Sequence, residues 1–223
     1  MIAPLLVLRG ALSLSLVEQV NDLLAQGGFG EAVSGRNPSE TSVRIAWPEE
    51  TQSVSRAAEL VSAALEQSEA FRVATFPARM VTPRFHRYEL GMRHGEHADP
   101  ALLGGARPVL RRDIAMSLAL GAPDSYEGGE LVFDLGVTSY RWKGEPGDCI
   151  LCSPDIVRRV EPVTRGARVI AISWIQSTIR NFEQRRILSE VGALLKELET
   201  GATPEAHVDA LHNGYANLVR LWS

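Results

Sequence analysis

Residues 88–99 have the sequence YELGMRHGEHAD, which ends in a histidine and an aspartate two positions apart. Residues i and i+2 of a β-strand point to the same face, so the imidazole of His97 and the carboxylate of Asp99 would converge on one point. One imidazole and one carboxylate are two of the three ligands in a 2-His-1-carboxylate iron site. The stretch therefore predicts a strand that carries part of a metal site.

The composition is that of an ordinary globular protein. The chain has 223 residues, of which 45% are apolar and 22% charged, so it can bury a sizeable core and is not expected to be disordered, collagen-like or a coiled coil. Its net charge of −4 argues against a nucleic-acid partner. The apolar residues 1–8 lack a basic flank and are interrupted by Arg9, so we expect a buried first strand, no membrane span and a cytoplasmic protein.

The two cysteines form a single C-x-x-C pair, Cys149 and Cys152. Without a second Cys or His pair nearby, this pattern is weak support for zinc or redox chemistry. We interpret both as small strand residues in a reducing compartment.

Apolar periodicity predicts helices towards both ends of the chain. Capping-box spacing at Ser15 and a glycine stop favour a helix over 15–28, and a second stripe favours one over 53–69. Two more are expected over 181–201 and 203–222, the last with proline in its first turn. This terminal pair is predicted either to cover the core or to form a homodimer interface.

The middle of the chain has short apolar runs separated by Pro, Gly and Asp. We expect strands at 71–76, 79–89, 94–98, 112–120, 129–134, 137–142, 148–152, 156–161 and 167–176. Many short strands predict a jelly roll or sandwich with helices to one side, an α+β protein that is mainly β with flanking helices. The domain is assigned to 1–180 and a helical extension to 181–223.

Two irregular segments are expected at the mouth of the site, residues 35–48 and 100–111. Within the second, residues 104–108 have the composition of a mobile flap or of an ordinary solvent loop.

Several motifs together resemble one protein family. They are YELGMRHGEHAD at 88–99, RDIAMSL at 112–118, YEGGEL at 126–131, PGD at 146–148, RRVEPVTRGAR at 158–168 and YANLVRLW at 215–222. In this order they resemble the bacterial PKHD-type hydroxylases, which belong to the prolyl-4-hydroxylase-like Fe(II)/2-oxoglutarate dioxygenases. The resemblance runs from about residue 71 to residue 222.

The resemblance implies a fold and a reaction. The fold is a double-stranded β-helix, a distorted, cupin-like jelly roll, with N-terminal helices and a C-terminal helix pair. The reaction is a hydroxylation coupled to conversion of 2-oxoglutarate and O2 to succinate and CO2. The implied cofactors are Fe(II) and 2-oxoglutarate, with ascorbate as an optional reductant, and the implied substrate is a small molecule, an amino acid or a peptide.

The resemblance also implies roles for individual residues. His97 and Asp99 match the first two iron ligands, and Arg168 matches the residue that receives the distal carboxylate of 2-oxoglutarate. A guanidinium suits that role because its planar fork pairs with a carboxylate bidentately. Tyr88 matches a tyrosine that hydrogen-bonds the same carboxylate, and Trp174 an aromatic that packs against the cofactor.

The sequence departs from the family at the second histidine ligand. The alignment with the family places this histidine at position 158, where the chain has Arg158. Shifting the alignment by one residue places it at Arg159 instead. A guanidinium stays protonated and has no lone pair to donate to iron. At about 4 Å from a dication it would oppose binding by roughly 8 kcal/mol at an effective dielectric of about 20. We therefore expect this chain to bind iron poorly.

Three outcomes are open. Arg158 could swing out while His94 completes the site, although His94 is three residues from His97 and needs a bulge to face it. Arg158 could instead pair with Asp99, which would leave a silent pseudo-oxygenase that binds a dicarboxylate or serves as a partner subunit. In the third outcome, the two-ligand site binds iron weakly. The enzyme is the preferred interpretation and the silent protein its alternative.

Other candidate residues are less specific. His94 and Arg112 are assigned to substrate binding, Arg112 as a partner for a substrate carboxylate. His86 lies two residues before Tyr88 and on its face; it is a weaker candidate than His94 for the third ligand, and the preferred interpretation is a packed or exposed strand residue.

Overall fold

A computed structural model describes residues 5–28, 32–34, 43–49, 51–104, 109–199 and 205–223. The helices in these ranges are α1 (Leu14–Gln26), α2 (Gln52–Gln67), α3 (Glu69–Thr75), α4 (Phe182–Glu199) and α5 (Glu205–Trp222). The strands are β1 (Leu5–Leu8), β2 (Ala32–Ser34), β3 (Val43–Ala46), β4 (Pro77–Met80), β5 (Arg84–Tyr88), β6 (His94–His97), β7 (Leu102–Leu103), β8 (Leu110–Arg111), β9 (Ile114–Ala119), β10 (Tyr126–Gly128), β11 (Leu131–Asp134), β12 (Ser139–Trp142), β13 (Cys149–Cys152), β14 (Arg158–Val160), β15 (Val163–Gly166) and β16 (Arg168–Ser177).

Two antiparallel sheets face each other, as the double-stranded β-helix requires. The larger sheet has eight strands in the order β1-β13-β9-β16-β5-β3-β2, with β4 also paired to β16. The smaller sheet has the order β12-β11-β14-β6. One apolar core lies between α1, α2 and the larger sheet, and a second lies between the two sheets. The second core surrounds the candidate site.

The N-terminal helices form where apolar stripes and capping residues coincide. Helix α1 buries Val17, Val20 and Leu24 against the sheet. Its N-cap is Ser13, whose hydroxyl accepts from the backbone N–H of Leu16, so the predicted cap at Ser15 is wrong by two residues. The first strand forms over Leu5–Leu8, but the expectation that it is buried is wrong, because its residues are only partly buried and Leu6 is 40% exposed; residues 1–4 lie outside the described ranges.

The strand expected at 71–76 is wrong, because residues 71–75 belong to helix α3 and Phe76 is its C-cap. Ser68 ends α2 and caps α3, its hydroxyl accepting from the N–H of Phe71, which is fully buried. A short apolar run does not by itself distinguish a buried strand from a buried helical turn. The N-cap serine and the acidic first-turn residue Glu69 were the signals for a helix.

The other predicted strands form, with two differences. The strand expected over 79–89 is divided into β4 and β5, separated by residues 81–83. The segment 35–48, expected to be irregular, contains β3, and its residues 35–42 lie outside the described ranges. Short strands such as β7, β8, β10 and β15 were not predicted, because two to four residues are too few to show a period of two.

The C-terminal helix pair is present. The N–H of Gln184 donates to the Asn181 side chain at 3.1 Å, which caps α4 where the helix over 181–201 was expected to begin. Leu188 and Leu195 of α4 are buried, whereas α5 packs on α4 without a fully buried residue. The predicted start of the last helix at 203–204 lies outside the described ranges, and the domain boundary at residue 180 stays a prediction.

The turn at Gly147 holds residues 9–12, which lead into α1, against the larger sheet. Gly147 has φ +90°, and its carbonyl accepts from the N–H of Leu12 at 3.1 Å. A Cβ at this position would lie 2.3 Å from the Leu12 carbonyl oxygen. Next to it, the buried carboxylate of Asp148 accepts from the N–H of Gly10 and the guanidinium of Arg9. These contacts position the start of α1.

We expect Gly147→Ala to lower the free energy of unfolding by about 3 kcal/mol or more, because positive φ and a backbone clash act together. The matched control is Gly136→Ala, since Gly136 has φ +85° but open space around its Cβ position. Backbone strain alone should lower its stability by about 1 kcal/mol. Urea unfolding of both variants measures the difference, and equal losses would contradict the close approach at Leu12.

Candidate metal and dicarboxylate site

A cavity of about 150 Å³ lies between the two sheets. It is smaller than the roughly 300–1,000 Å³ typical of pockets for drug-sized ligands, so its size suits a small organic acid. Seven of the residues singled out from the sequence line it. They are Tyr88, His94, His97, Asp99, Arg158, Arg168 and Trp174. His86 also lines the cavity and is buried. Arg112 is not among the lining residues.

The His-x-Asp motif lies at the end of β6. His97 is the last residue of the strand, and Asp99 follows it in a segment held by a hydrogen bond from its N–H to the Pro154 carbonyl at 2.8 Å. Nδ1 of His97 lies 2.9 Å from the Gly95 carbonyl oxygen, which can only accept, so Nδ1 carries the hydrogen. In the neutral imidazole the lone pair is then on Nε2, the arrangement common in metal-ligating histidines.

Arg158 points into the cavity and is paired with Asp99. Strand β14 places Arg158 directly opposite His97, and antiparallel partners share a face of the sheet. Nη2 of Arg158 donates to Oδ2 of Asp99, and the pair is buried, with side-chain exposures of 9% and 8%. The indole N–H of Trp174 donates to the same oxygen at 2.6 Å. Oδ2 of Asp99 therefore already accepts two hydrogen bonds.

Arg159 does not share this position. Its guanidinium lies 3.1 Å from Glu96 and 3.1 Å from Glu161, in a partly exposed ion-pair network. The register that aligns Arg158 with the missing histidine is therefore the one in which the side chain reaches the cavity.

A bulge in β6 brings His94 onto the same side as His97. The three steps from His94 to His97 oppose only two steps from Val160 to Arg158 on β14. The two imidazole rings stack with centroids 4.1 Å apart and an interplanar angle of 16°. Yet within the described ranges no three His, Cys, Asp or Glu side chains form a cluster able to hold a metal. In this arrangement His94 does not supply the third ligand.

Arg168 is a buried cation whose two terminal nitrogens are unsatisfied by the described residues. It is 2% exposed, and neither terminal nitrogen forms a hydrogen bond with any residue in the described part of the chain. Its guanidinium carbon lies 5.4 Å from the ring centroid of Tyr88, its register partner on β5. An unpartnered guanidinium facing a cavity is a site for an anion, since burial leaves its donors unsatisfied.

The motif YEGGEL shapes the space around Arg168, which the sequence did not reveal. Gly129 has φ +66°, and a Cβ there would lie 3.3 Å from Cδ of Arg168 and 3.2 Å from the Tyr126 ring. Burial raises the pKa of the Tyr126 phenol, while the nearby charge of Arg168 acts in the opposite direction. The paired glycines were the available signal, because positive φ is inexpensive only for glycine.

Arg112 contacts the far side of Trp174. Its guanidinium carbon lies 4.5 Å from the indole centroid, and Nη1 donates to the Pro100 carbonyl at 3.2 Å. Burial lowers its pKa, and Asp99 partly offsets this effect. Its assignment to a substrate carboxylate stays a prediction, as does that of His94, and residues 105–108 of the predicted flap lie outside the described ranges.

The two cysteines are buried on opposite faces of β13. Cys149 packs in the core beneath the helices, and Cys152 lines the cavity. Burial raises the pKa of Cys152 to about 11 and raises that of Cys149 further. Neither thiol is poised for thiolate chemistry at neutral pH, in keeping with a packing role.

The residues present do not fit Fe(II), but they do fit a dicarboxylate. His97 and Asp99 are joined by no third His, Cys, Asp or Glu of the described residues in a cluster able to hold a metal, and Asp99 is already bound to a guanidinium that stays protonated. Arg168, by contrast, offers two unsatisfied nitrogens to an anion.

The fold is that of the 2-oxoglutarate and Fe(II)-dependent oxygenases. A Pseudomonas putida prolyl-4-hydroxylase superposes with a TM-score of 0.53 at 15% identity, covering 79% of this chain and 94% of the other. A Trichoplax adhaerens prolyl hydroxylase, solved with a hypoxia-inducible-factor peptide fragment, gives 0.58 at 14% identity, covering 84% and 88%. These likenesses define the class by its double-stranded β-helix.

Sequence relatives define the family more narrowly. A PKHD-type hydroxylase of Synechococcus sp. (strain JA-2-3B'a(2-13)) is 33% identical over 221 residues, which is 98% of this chain and 99% of the relative. One from Xanthomonas campestris pv. campestris (strain 8004) is 33% identical over 226 residues with the same coverage. A scan against protein-family models finds no match. The chain belongs to the PKHD-type hydroxylase family, as its motifs predicted.

None of the helices in the described ranges is long and apolar enough to cross a bilayer.

We expect Arg158→His to tighten Fe(II) binding about 100-fold or more, because it removes the opposing cation and adds an imidazole opposite His97. The matched control is Arg159→His, one residue away in the exposed network. Anaerobic Fe(II) titration measures both. No gain from Arg158→His, or the same gain from both variants, would show that position 158 does not control the metal.

Proposed function

We propose that this chain is a metal-independent member of its family, one that binds 2-oxoglutarate or a related dicarboxylate through Arg168 and does not hydroxylate as built. The observation that carries this proposal is the buried ion pair between Arg158 and Asp99. It holds a positive charge where the family's iron would be, on the carboxylate that would bind it.

The ion pair is not easily opened. Removing one partner of a buried pair is destabilising by about 3–5 kcal/mol, because the other charge is left uncompensated. If Arg158 turned away, Asp99 would retain only the indole hydrogen bond of Trp174 among its side-chain partners in the described ranges. Binding of iron by only two protein ligands would then have to offset the free energy lost when the Arg158–Asp99 pair is broken.

Arg168 supports the binding half of the proposal. Its two terminal nitrogens are buried, point into a cavity of organic-acid size, and are not satisfied by the described residues. Arg–carboxylate pairs are commonly bidentate, so a ligand carboxylate would satisfy both nitrogens at once. Apolar walls, including Ile170 of β16 and Leu131 of β11, would exclude water and strengthen the pair.

The second candidate function is an active Fe(II)/2-oxoglutarate-dependent hydroxylase with an atypical metal site. The observation that favours it is the hydrogen bond from Nδ1 of His97 to Gly95, which leaves Nε2 as the ligating nitrogen in a cavity shared with Asp99. For this function, Arg158 would have to leave the cavity when Fe(II) binds. An amino-acid or peptide substrate, ascorbate as reductant, a homodimer through α4 and α5, and a cytoplasmic location all stay predictions.

We expect 2-oxoglutarate to stabilise the protein in the presence of EDTA, by about 2.7 kcal/mol at a hundredfold excess over its Kd. Arg168→Met should abolish this stabilisation and leave the empty protein at least as stable, since it removes a buried, unpartnered charge. Arg165→Met is the control, because Arg165 is exposed and pairs with Glu127. Thermal unfolding measures the series, and a 2-oxoglutarate effect that required added metal would contradict the proposal.

Turnover separates the two candidate functions. We expect no succinate from 2-oxoglutarate across a wide range of Fe(II) concentrations, because the Arg158–Asp99 pair opposes metal loading. The measurement includes amino acids and peptides as substrates, and Arg158→His tests whether restoring a ligand restores uncoupled turnover. Fe(II)-dependent succinate formation by the unaltered chain would establish the hydroxylase instead.

A further inference from the structure

The cavity holds a second arginine besides Arg168, and its role on ligand binding follows from its hydrogen bonds. Arg158 lines the cavity from β14 in the smaller sheet, while Arg168 lines it from β16 in the larger sheet. A ligand between the sheets therefore meets one guanidinium from each side. Asp99 is the only carboxylate among the described lining residues.

Arg158 retains donors for a ligand. A guanidinium has five N–H donors. Within the described part of the chain Arg158 makes one hydrogen bond to Asp99 and a long one, 3.4 Å, to the Ile156 carbonyl. Its ion pair with Asp99 fixes the plane of the group, so the remaining donors are preorganised.

The local charge is positive even though the protein as a whole is acidic. Arg158 and Arg168 line the cavity, and Arg112 lies just outside it, against the ring of Trp174; Asp99 is the carboxylate that interacts with Arg112 and Arg158. The nearby Arg84 already has Glu49 as a partner, at 2.9 Å. Three guanidinium groups against one carboxylate leave an excess of two positive charges, which matches a dianion.

We propose that Arg158 is a second carboxylate-binding group, so that the cavity holds a dicarboxylate between two arginines and does not require a 2-oxo group. This inference rests on the proposed function and specifies its ligand class. Where a metal is absent, the 2-oxo oxygen has no cation to chelate and contributes little to affinity. The replacement of a metal ligand by arginine thus converts a site selective for 2-oxo acids into one that recognises the two carboxylates.

The first test varies the ligand and leaves the protein unaltered. In EDTA, calorimetric titration should give glutarate a Kd within about threefold of that of 2-oxoglutarate. Pentanoate, which has the same carbon chain with one carboxylate, should bind at least about tenfold more weakly, because one charged pair is lost. Glutarate binding more than about thirtyfold weaker than 2-oxoglutarate would overturn the inference.

The second test varies the protein. Arg158→Gln should weaken glutarate by about tenfold or more while changing pentanoate little, since pentanoate pairs with Arg168 alone. The control Arg159→Gln should change neither. Equal weakening of both ligands by Arg158→Gln would also overturn the inference, because it would indicate a general disturbance of the cavity.

The outcomes distinguish this inference from the proposed function. If 2-oxoglutarate binds in EDTA and Arg168→Met abolishes binding, the proposed function stands whatever the glutarate result. If 2-oxoglutarate binds only with metal, the proposed function fails and the role of Arg158 fails with it.

Discussion

The pairing of β14 with β6 is the constraint on which the site depends. It places Arg158 opposite His97, and the bulge in β6 turns His94 onto the same face. The side chain at position 158 therefore extends into the space between the sheets. There the nearest opposite charge is Asp99, whose other neighbour, Trp174, comes from the larger sheet. The hydrogen-bonded pairing of β14 with β6 thus determines which side chains come together in the cavity.

Under the proposed function, the same geometry explains how the fold is kept without a metal. In a metal-binding relative, two negative or neutral ligands need a cation between them. Here the cation is the Arg158 side chain, which donates a hydrogen bond to the carboxylate of Asp99. Buried charges persist when they are paired and hydrogen-bonded, and both conditions hold for Arg158 and Asp99. Apolar residues such as Phe133 and Ile150 form much of the remaining lining of the cavity.

Much of this architecture was predictable from the sequence, for physical reasons that differ between elements. Long amphipathic stripes predicted α2 and α4, and the resemblance singled out Arg168 and Trp174, which both line the cavity from β16. The motifs gave the family. What the sequence did not determine was the direction in which Arg158 points and whether the bulge forms, because both depend on pairing between distant strands. Helix α3 was missed because its short apolar run was interpreted as a strand, whereas the Ser68 N-cap favours a helix.

Trp174 carries an optical consequence of this arrangement. Of the four tryptophans in the chain, it is the one that lines the cavity. The guanidinium of Arg112 lies over the indole face, and the carboxylate of Asp99 accepts its N–H. The excited state of an indole has a large dipole, so its emission energy shifts with the charges around the ring. A ligand that changes the electric field between Arg112 and Asp99 will shift the emission wavelength and intensity of Trp174. Trp174 is therefore an intrinsic fluorescent reporter of ligand binding in the cavity.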